Sequence, residues 1–220
     1  MMNNLFSMFD PSSGMLSLNW FSIMLPFIFT VKTFYYSNTR TLLMFIIFKN
    51  SILKDLNSNM KKTNKSLNIF LLSLMMIICM YNLLSLFPFI FATTAHMSVS
   101  MSLSLPVWMM LFIFNWMHKP LKTLTHLVPS GTPLILCPFM VIIETISNII
   151  RPLTLSIRLS ANMIAGHILI LLLSSQMNNV IYIFTLSSIV MNLLIILELA
   201  VAIIQGYVFM TLMSLYLNEM

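Results

Sequence analysis

Three charged residues lie inside a stretch of the chain that is otherwise as apolar as a membrane helix. Glu144, Arg151 and Arg158 follow one another at intervals of seven residues, so they lie within about 40° of one another on one helix face. An ionised side chain in hydrocarbon costs from about 3 to more than 10 kcal/mol, so this face must contact protein or water. The spacing indicates either a path for ions or a charged contact that holds two helices together.

A second apolar stretch also carries residues that could handle protons. Glu198 and Gln205 are seven residues apart, so they share one helix face. His167 follows Arg158 by nine residues, which places it about 180° around an ideal helix, away from the charged face. Glutamate and histidine gain and lose protons, whereas the guanidinium group stays protonated. These residue types fit proton-exchanging groups separated by a permanent cation.

The role of His167 stays open at this point. A lone histidine in a membrane helix is equally typical of a packing residue that hydrogen bonds to backbone, and spacing alone does not pair it with Glu198. Gly166, next to Ala165, would allow the backbone of another helix to approach closely.

Composition places these residues in a membrane protein. Of the 220 residues, 59% are hydrophobic and 7% are charged, and the mean hydropathy is +0.96. A soluble domain carries about 25% charged residues. The chain starts without a basic stretch followed by a cleavage site, so we expect no removable signal peptide. The 22 methionines indicate biased codon usage, for which an organelle genome is one source.

The cysteines and the net charge give no sign of metal, redox or nucleic-acid chemistry. Cys79 and Cys137 belong to no CxxC motif or Cys/His cluster, so we predict inert core residues, no metal site and no cofactor. A net charge of +6 is compatible with nucleic-acid binding, but membrane topology explains the positions of the lysines better. We therefore expect no nucleic-acid partner.

The charge-free windows predict one membrane domain over residues 1–220. Its fold class is an all-α integral membrane protein with three transmembrane helices, one interfacial amphipathic helix and a hairpin of two long tilted membrane helices. The transmembrane helices are predicted at 15–31, 67–87 and 98–117, the interfacial helix at 42–60, and the hairpin helices at 138–175 and 180–217.

The hairpin helices are longer than a membrane requires. A helix over 138–175 would extend about 55 Å, against a hydrocarbon core about 30 Å thick. It must tilt or bend, and Pro152 is a candidate position for a bend.

The predicted interfacial helix follows an apolar run that is too short to cross. Its apolar face would carry Phe45, Phe48, Ile52 and Leu56, and its polar face Asn50, Lys54, Asn57 and Lys61. A loosely ordered polar loop is the alternative interpretation of this segment.

Basic residues predict the orientation of the chain. Nine of them lie in the first and third connectors, and none lies in the N-terminal tail or the second connector. They are Lys32, Arg40, Lys49, Lys54, Lys61, Lys62, Lys65, Lys119 and Lys122. The positive-inside rule therefore places these connectors on the inner side and the N-terminus on the other. Counting crossings places the C-terminus on the lysine side.

Three sequence segments resemble subunit a of the F-type ATP synthase. They are VIIETIS at 141–147, RLSANMIAGH at 158–167 and LELAVAIIQGYVF at 197–209. The mitochondrial form, subunit 6, fits best. The resemblance covers essentially the whole chain, and it is dense after Pro129 and loose before Ser66. At position 206 the chain has glycine where some relatives carry alanine.

The resemblance implies a stator proton-channel subunit that lies against a ring of c subunits. Two offset half-channels would pass protons to and from the c-ring carboxylates, coupling proton flow to rotation and ATP synthesis. Further implied partners are peripheral-stalk and other membrane-sector subunits and the lipid bilayer. The implied location is the mitochondrial inner membrane, with the N-terminus in the intermembrane space and the lysine-rich connectors and C-terminus on the matrix side. The chain lacks a GxxxxGK[ST] phosphate loop, so we expect no ATP chemistry of its own.

The resemblance also implies roles for individual residues. Arg158 would face the rotor carboxylates. His167 and Glu198 would belong to the half-channel through which protons enter, and Glu144 to the one through which they leave. The supporting polar neighbours of the arginine would be Asn162 and Gln205.

Two other classes of membrane protein are alternatives to a proton-channel subunit. A secondary ion or solute transporter predicts inverted repeats and broken helices around a site at the membrane midplane, and the sequence contains neither pattern. A structural membrane subunit of a respiratory complex would not need Arg158 and Glu198 within hydrocarbon.

Overall fold

The computed structural model describes residues 5–12, 17–27, 40–59, 65–87, 90–118, 135–176 and 181–219, with single residues at 120, 121, 123, 128 and 133. This part of the chain is helical and contains no β-strand. Its five long α-helices are α1 (Arg40–Asn59), α2 (Lys65–Ser85), α3 (Met97–His118), α4 (Cys137–Gln176) and α5 (Ile181–Glu219). Short 3-10 helices cover Leu5–Phe9, Leu18–Met24 and Thr93–Ala95.

Four of these helices are long and apolar enough to cross a membrane. The apolar segments are Leu67–Ser85, Met97–Phe114, Cys137–Ser175 and Thr185–Leu217, with mean hydropathy from 1.6 to 2.4. They confirm the predicted all-α membrane protein. The finer arrangement, with an interfacial helix and a tilted hairpin, stays a prediction.

The first predicted span, 15–31, differs from a transmembrane α-helix where the structure describes it. Leu18–Met24 is a 3-10 helix, and the apolar helix Leu18–Phe27 is about half as long as the roughly 20 residues of a span. The Ser22 hydroxyl donates to the Asn19 carbonyl oxygen at 2.8 Å, and such local bonds compete with regular helix. Both ends of the predicted span lie outside the described residues.

The segment for which the sequence allowed either an interfacial helix or a polar loop forms a helix, α1. The predicted apolar face is divided between two environments: Ile52 and Leu56 are buried in the bundle, whereas Phe48 is 48% exposed. Asn68 of α2 donates to Asn57 Oδ1 at 2.7 Å, which joins the two helices by side chains. The C-terminal half of α1 is therefore attached to protein, through the buried Ile52 and Leu56 and through the Asn57–Asn68 bond. Only its first half presents apolar side chains outward.

The bundle is built from three packed helix pairs. Helix α5 packs on α2, and α4 packs on both α3 and α5. Buried apolar side chains from all five helices fill the space between them, including Leu71, Met75, Leu159 and Phe209. Gly206 allows the close approach of α5 to α2, because a Cβ at this position would collide with the sulfur of Cys79.

Helix α4 carries most of the residues singled out by sequence. Its 40 residues run without interruption through Pro152, and they extend about 60 Å, roughly twice the thickness of the hydrocarbon core. A helix of this length places charged residues at several depths of one membrane. The distance along the axis is about 21 Å from Glu144 to Arg158 and about 14 Å from Arg158 to His167.

Candidate functional site

The buried pair formed by His167 and Glu198 joins α4 to α5. His167 Nε2 lies 3.8 Å from Glu198 Oε1, and the side chain of each residue is 5% exposed. This distance is too long for a direct hydrogen bond but within the range of an ion pair when the histidine is protonated. Neither carboxylate oxygen has a hydrogen-bond partner within the described part of the chain. The pairing that sequence spacing left open is thus present as a contact.

Gly166 makes the close contact between the two helices possible. A Cβ built on Gly166 would lie 2.6 Å from Glu198 Oε1 and 2.7 Å from its Cδ. Real Cβ atoms do not approach other atoms so closely, so an alanine here would displace the carboxyl group. The sequence predicted a close backbone approach at this glycine, whereas the atoms that come close are those of the Glu198 side chain.

Apolar side chains surround the pair. The Phe9 ring meets the His167 ring edge-on, with centroids 6.4 Å apart. Met163 and Ala202, one helical turn from His167 and from Glu198, are buried in a cluster with Ala92 and Ala95. A carboxylate in such surroundings is costly unless it is paired. The arrangement therefore suits two groups that share or exchange one proton.

Arg158 lies on the other face of α4. Its side chain is exposed, and so is that of Asn162, one turn further along. Small residues, Ala161 and Ala165, are exposed on the same part of the helix and leave room for a second helix to approach. A guanidinium group exposed on an apolar helix requires a protein partner or water within the membrane. The sequence prediction that His167 and Arg158 face opposite ways is in accord with their burial.

The backbone of Arg158 is attached to α5 by Gln205. The Gln205 side chain is 5% exposed, and its Nε2 donates to the Arg158 carbonyl oxygen at 2.8 Å. A cleft beside this bond is lined by Leu155, Arg158, Leu159, Gln205, Val208 and Phe209. Gln205 is thus a direct neighbour of the arginine backbone.

The three residues of the predicted charged face have different surroundings. Glu144 is half-buried near the start of α4. The Arg151 guanidinium lies over the Tyr216 ring of α5, 4.8 Å from its centroid, as in a cation–π contact. Arg158 alone of the three is exposed. The structure does not bring Glu144 to the His167–Glu198 pair, which lies about 35 Å further along the helix axis.

Two buried polar residues of α2 were not among the predicted site residues. Asn82 and Ser85 are 0% and 1% exposed, and Asn82 Nδ2 lies 3.4 Å from Gln205 Oε1. The Ser85 hydroxyl donates to the backbone carbonyl oxygen of Asn82 at 2.7 Å and contacts Met163 Sδ at 3.7 Å. The available signal was their spacing of three residues within a charge-free span, which places both on one face. Among the described residues, no group of His, Cys, Asp or Glu is arranged to hold a metal ion.

Known proteins resemble this chain along most of its length. The family model described as ATP synthase A chain matches residues 13–218. A protein named ATP synthase subunit a from Artemia franciscana is 44% identical over 180 residues, which cover 80% of each chain. Its counterpart from Drosophila yakuba is 45% identical over 190 residues, covering 83% of each. The one from Aedes aegypti is 42% identical over 182 residues, covering 80% of this chain and 79% of the relative.

Proposed function

This chain belongs to the ATP synthase A chain family, the proton-channel stator subunit of F-type ATP synthase, and we propose that it works through two offset half-channels beside a ring of c subunits. It is a multi-pass protein of the mitochondrial inner membrane. It is a proton-translocating part of the ATP synthase complex, and we propose that it carries out no ATP chemistry of its own. The observation that carries the proposal is the exposed Arg158 on the face of α4 opposite the buried His167–Glu198 pair.

The buried pair would receive protons from the intermembrane space. His167 and Glu198 are the titratable groups that contact each other between α4 and α5, and both residue types exchange protons. From this pair a proton would pass to a rotor carboxylate, which can then face lipid in its neutral form. Each elementary charge that crosses the membrane field gains about 2.3 kcal/mol per 100 mV, and this energy would turn the ring.

Arg158 would separate uptake of protons from their release. Its exposed side chain and those of Asn162, Ala161 and Ala165 form a surface that a rotor helix could cover. The permanent positive charge attracts the ionised form of an arriving carboxylate. Because a guanidinium group does not deprotonate under these conditions, protons cannot pass through it from one half-channel to the other.

The specific partners follow from the same surface. We infer that the c-ring covers the exposed face around Arg158. Peripheral-stalk and other membrane-sector subunits would contact other exposed apolar surfaces, and lipid the remainder. The exposed first half of α1 includes Met44 and Ile47 and would lie on the matrix surface of the bilayer.

Reconstitution into liposomes tests the proposed function. The chain together with c subunits and the rest of the membrane sector should conduct protons down an imposed gradient. The chain without c subunits should conduct none, because the two half-channels would then share no carrier. Movement of an ion or solute by the chain alone would instead favour a secondary transporter, and assembly without any effect on conduction would favour a structural subunit.

Glu144 would connect the rotor to matrix water. It is half-buried near the start of α4, and it lies about 21 Å from Arg158 along the axis, on the side away from His167. We expect Glu144→Gln to slow passive proton conduction and ATP synthesis about 100-fold or more, the scale of one lost proton-transfer group. Assembly should be unchanged because the amide has the same shape. Conduction at the wild-type rate in assembled complexes would make Glu144 a structural residue.

The orientation of the chain is a separate part of the proposal. The N-terminus would lie in the intermembrane space, and the lysine-rich connectors and the C-terminus in the matrix. Lys54 is exposed on α1, so a single cysteine there should react with a membrane-impermeant reagent in inverted inner-membrane vesicles. The same cysteine should not react in intact mitochondria whose outer membrane has been opened, and rapid reaction there would invert the topology.

A further inference from the structure

We propose that Asn82 of α2 is a positioning residue for proton translocation, which acts through Gln205 on the backbone of Arg158. The inference rests on the proposed function, since it concerns how firmly the arginine is held against the rotor. Asn82 contacts neither Arg158 nor the buried His167–Glu198 pair through any of its described hydrogen bonds. Its effect would be transmitted by the side chain between them.

Two backbone carbonyl groups fix the orientation of both side-chain amides. The Arg158 carbonyl can only accept, so the Gln205 atom 2.8 Å from it must be the Nε2 donor. Gln205 Oε1 then faces Asn82, at 3.4 Å from Asn82 Nδ2. The same Nδ2 lies 3.4 Å from the Ala202 carbonyl oxygen, which also can only accept. The contacts therefore assign both atoms of the Gln205 amide and the nitrogen of Asn82, whereas Asn82 Oδ1 has no hydrogen-bond partner among the described residues.

The position of Asn82 makes these long contacts effective. Asn82 is fully buried and Gln205 is 5% exposed, and hydrogen bonds in such low-dielectric surroundings are stronger and harder to replace by water. Asn82 contacts α5 at Ala202 and at Gln205, one turn apart. The Ser85 hydroxyl donates to the backbone carbonyl oxygen of Asn82 at 2.7 Å, a local bond within α2 that leaves the Asn82 amide free to contact α5. Three helices, α2, α4 and α5, thus meet in polar contacts at the level of Arg158.

This contact lies behind the surface that the rotor would cover. The Arg158 side chain is exposed on one side of α4, and its carbonyl oxygen accepts from Gln205 on the α5 side. A rotor carboxylate that pairs with the guanidinium group and then moves past it would exert a force on α4. The bond from Gln205 resists sliding and rotation of α4 relative to α5, and Asn82 holds the Gln205 amide in the orientation that makes this bond. Without Asn82, Arg158 should stay in place, but its guanidinium group should be less precisely oriented toward the rotor.

A double-mutant cycle in the assembled complex tests this inference. Asn82→Leu keeps the size of the side chain and removes its hydrogen bonds. We expect ATP synthesis per assembled complex to fall about three- to ten-fold, the scale of one lost neutral hydrogen bond. In a Gln205→Leu background the same substitution should cause no further fall, because the bond it supports is already absent. Additive losses in the cycle, or wild-type synthesis in Asn82→Leu, would overturn the inference.

Asn68 provides the matched control on the same helix. It is an equally buried asparagine, 1% exposed, but it joins α2 to Asn57 of α1. Asn68→Leu should lower the yield of complex, with less than a two-fold change in synthesis per assembled complex, and its effects should add to those of Gln205→Leu. If Asn82→Leu does not assemble, Asn82→Ala replaces it in the same cycle, with the same outcomes deciding.

Arg158→Ala in the same assay separates this inference from the proposed function. Full coupled synthesis in Arg158→Ala would contradict the function proposed for the arginine. Lost synthesis in Arg158→Ala together with normal synthesis in Asn82→Leu would overturn only the role of Asn82.

Discussion

Replacing Arg158 with alanine should abolish coupled ATP synthesis and should also let protons leak through the assembled membrane sector. The guanidinium group carries the permanent charge on the exposed face of α4, near the exposed Asn162, while Gln205 binds the backbone of the same residue from the α5 side. Without it, an ionised rotor carboxylate would meet no fixed positive charge. Protons on the uptake side could then pass directly to the release side. The Gln205 bond should persist, because it ends on the backbone of residue 158.

Arg158→Lys should abolish synthesis almost as fully. Lysine keeps a positive charge but lacks the planar fork of the guanidinium group, and it deprotonates more readily when it is removed from water. A cation that can lose its proton can also relay one. We therefore expect synthesis below about one hundredth of the wild-type rate in both variants, equivalent to at least about 2.7 kcal/mol of lost transition-state stabilisation.

The measurement pairs ATP synthesis with passive proton flux in liposomes that contain assembled complexes. Arg151→Ala is the matched control, since Arg151 lies one heptad earlier on the same helix and packs on the Tyr216 ring. Loss of that contact should cost about 0.5–2 kcal/mol of stability without a proton leak. Substantial coupled synthesis in either Arg158 variant would remove the arginine as the separator and favour a charged contact that only holds helices together.

The residues that sequence identified best are those whose burial in hydrocarbon is most costly. Arg158, Glu198 and His167 stand out because ionisable groups are rare in apolar segments. The nine-residue spacing of Arg158 and His167 correctly placed them on opposite faces of α4. It could not give the contact between His167 and Glu198, because that contact depends on how α4 and α5 are offset. Gly166 leaves room for the Glu198 carboxyl group, and sequence marked it only as a position of close approach.

Asn82 shows why neutral polar residues with a functional position are hard to identify from sequence alone. An uncharged amide costs far less to bury than a charge, and asparagine and serine occur in membrane helices for many reasons. Only the structure shows that Asn82 faces Gln205 and Ala202. The apolar face of α1 also could not be predicted fully. Periodicity shows that Phe48, Ile52 and Leu56 share a face, but it does not show that only Ile52 and Leu56 are covered by the bundle. The local side-chain bond of Ser22 likewise left no trace in the hydropathy of the first apolar segment.

Replacing Gly166 with alanine should impair proton uptake by displacing the carboxyl group of Glu198. The added methyl group would lie 2.6 Å from Glu198 Oε1 and 3.1 Å from its Cγ, so either the side chain or the helix must move. Overpacking of this kind costs about 1–3 kcal/mol, which corresponds to a roughly five- to 150-fold change in an equilibrium constant. The cost should appear in proton uptake, since the displaced atoms belong to the proton-exchanging pair.

A shorter carboxylate tests whether the effect of Gly166→Ala is steric. Glu198→Asp withdraws the carboxyl group from residue 166, so the double variant should assemble better than Gly166→Ala alone. It should still synthesise ATP slowly, because aspartate no longer reaches His167. Gly206→Ala is the matched control: its methyl group would meet the Cys79 sulfur rather than a proton-exchanging group. It should lower stability, and its loss of proton uptake per assembled complex should be smaller than that of Gly166→Ala, since its methyl group does not reach Glu198. Equal proton-uptake defects in Gly166→Ala and Gly206→Ala would show that hairpin packing in general, and not the position of Glu198, limits proton flow.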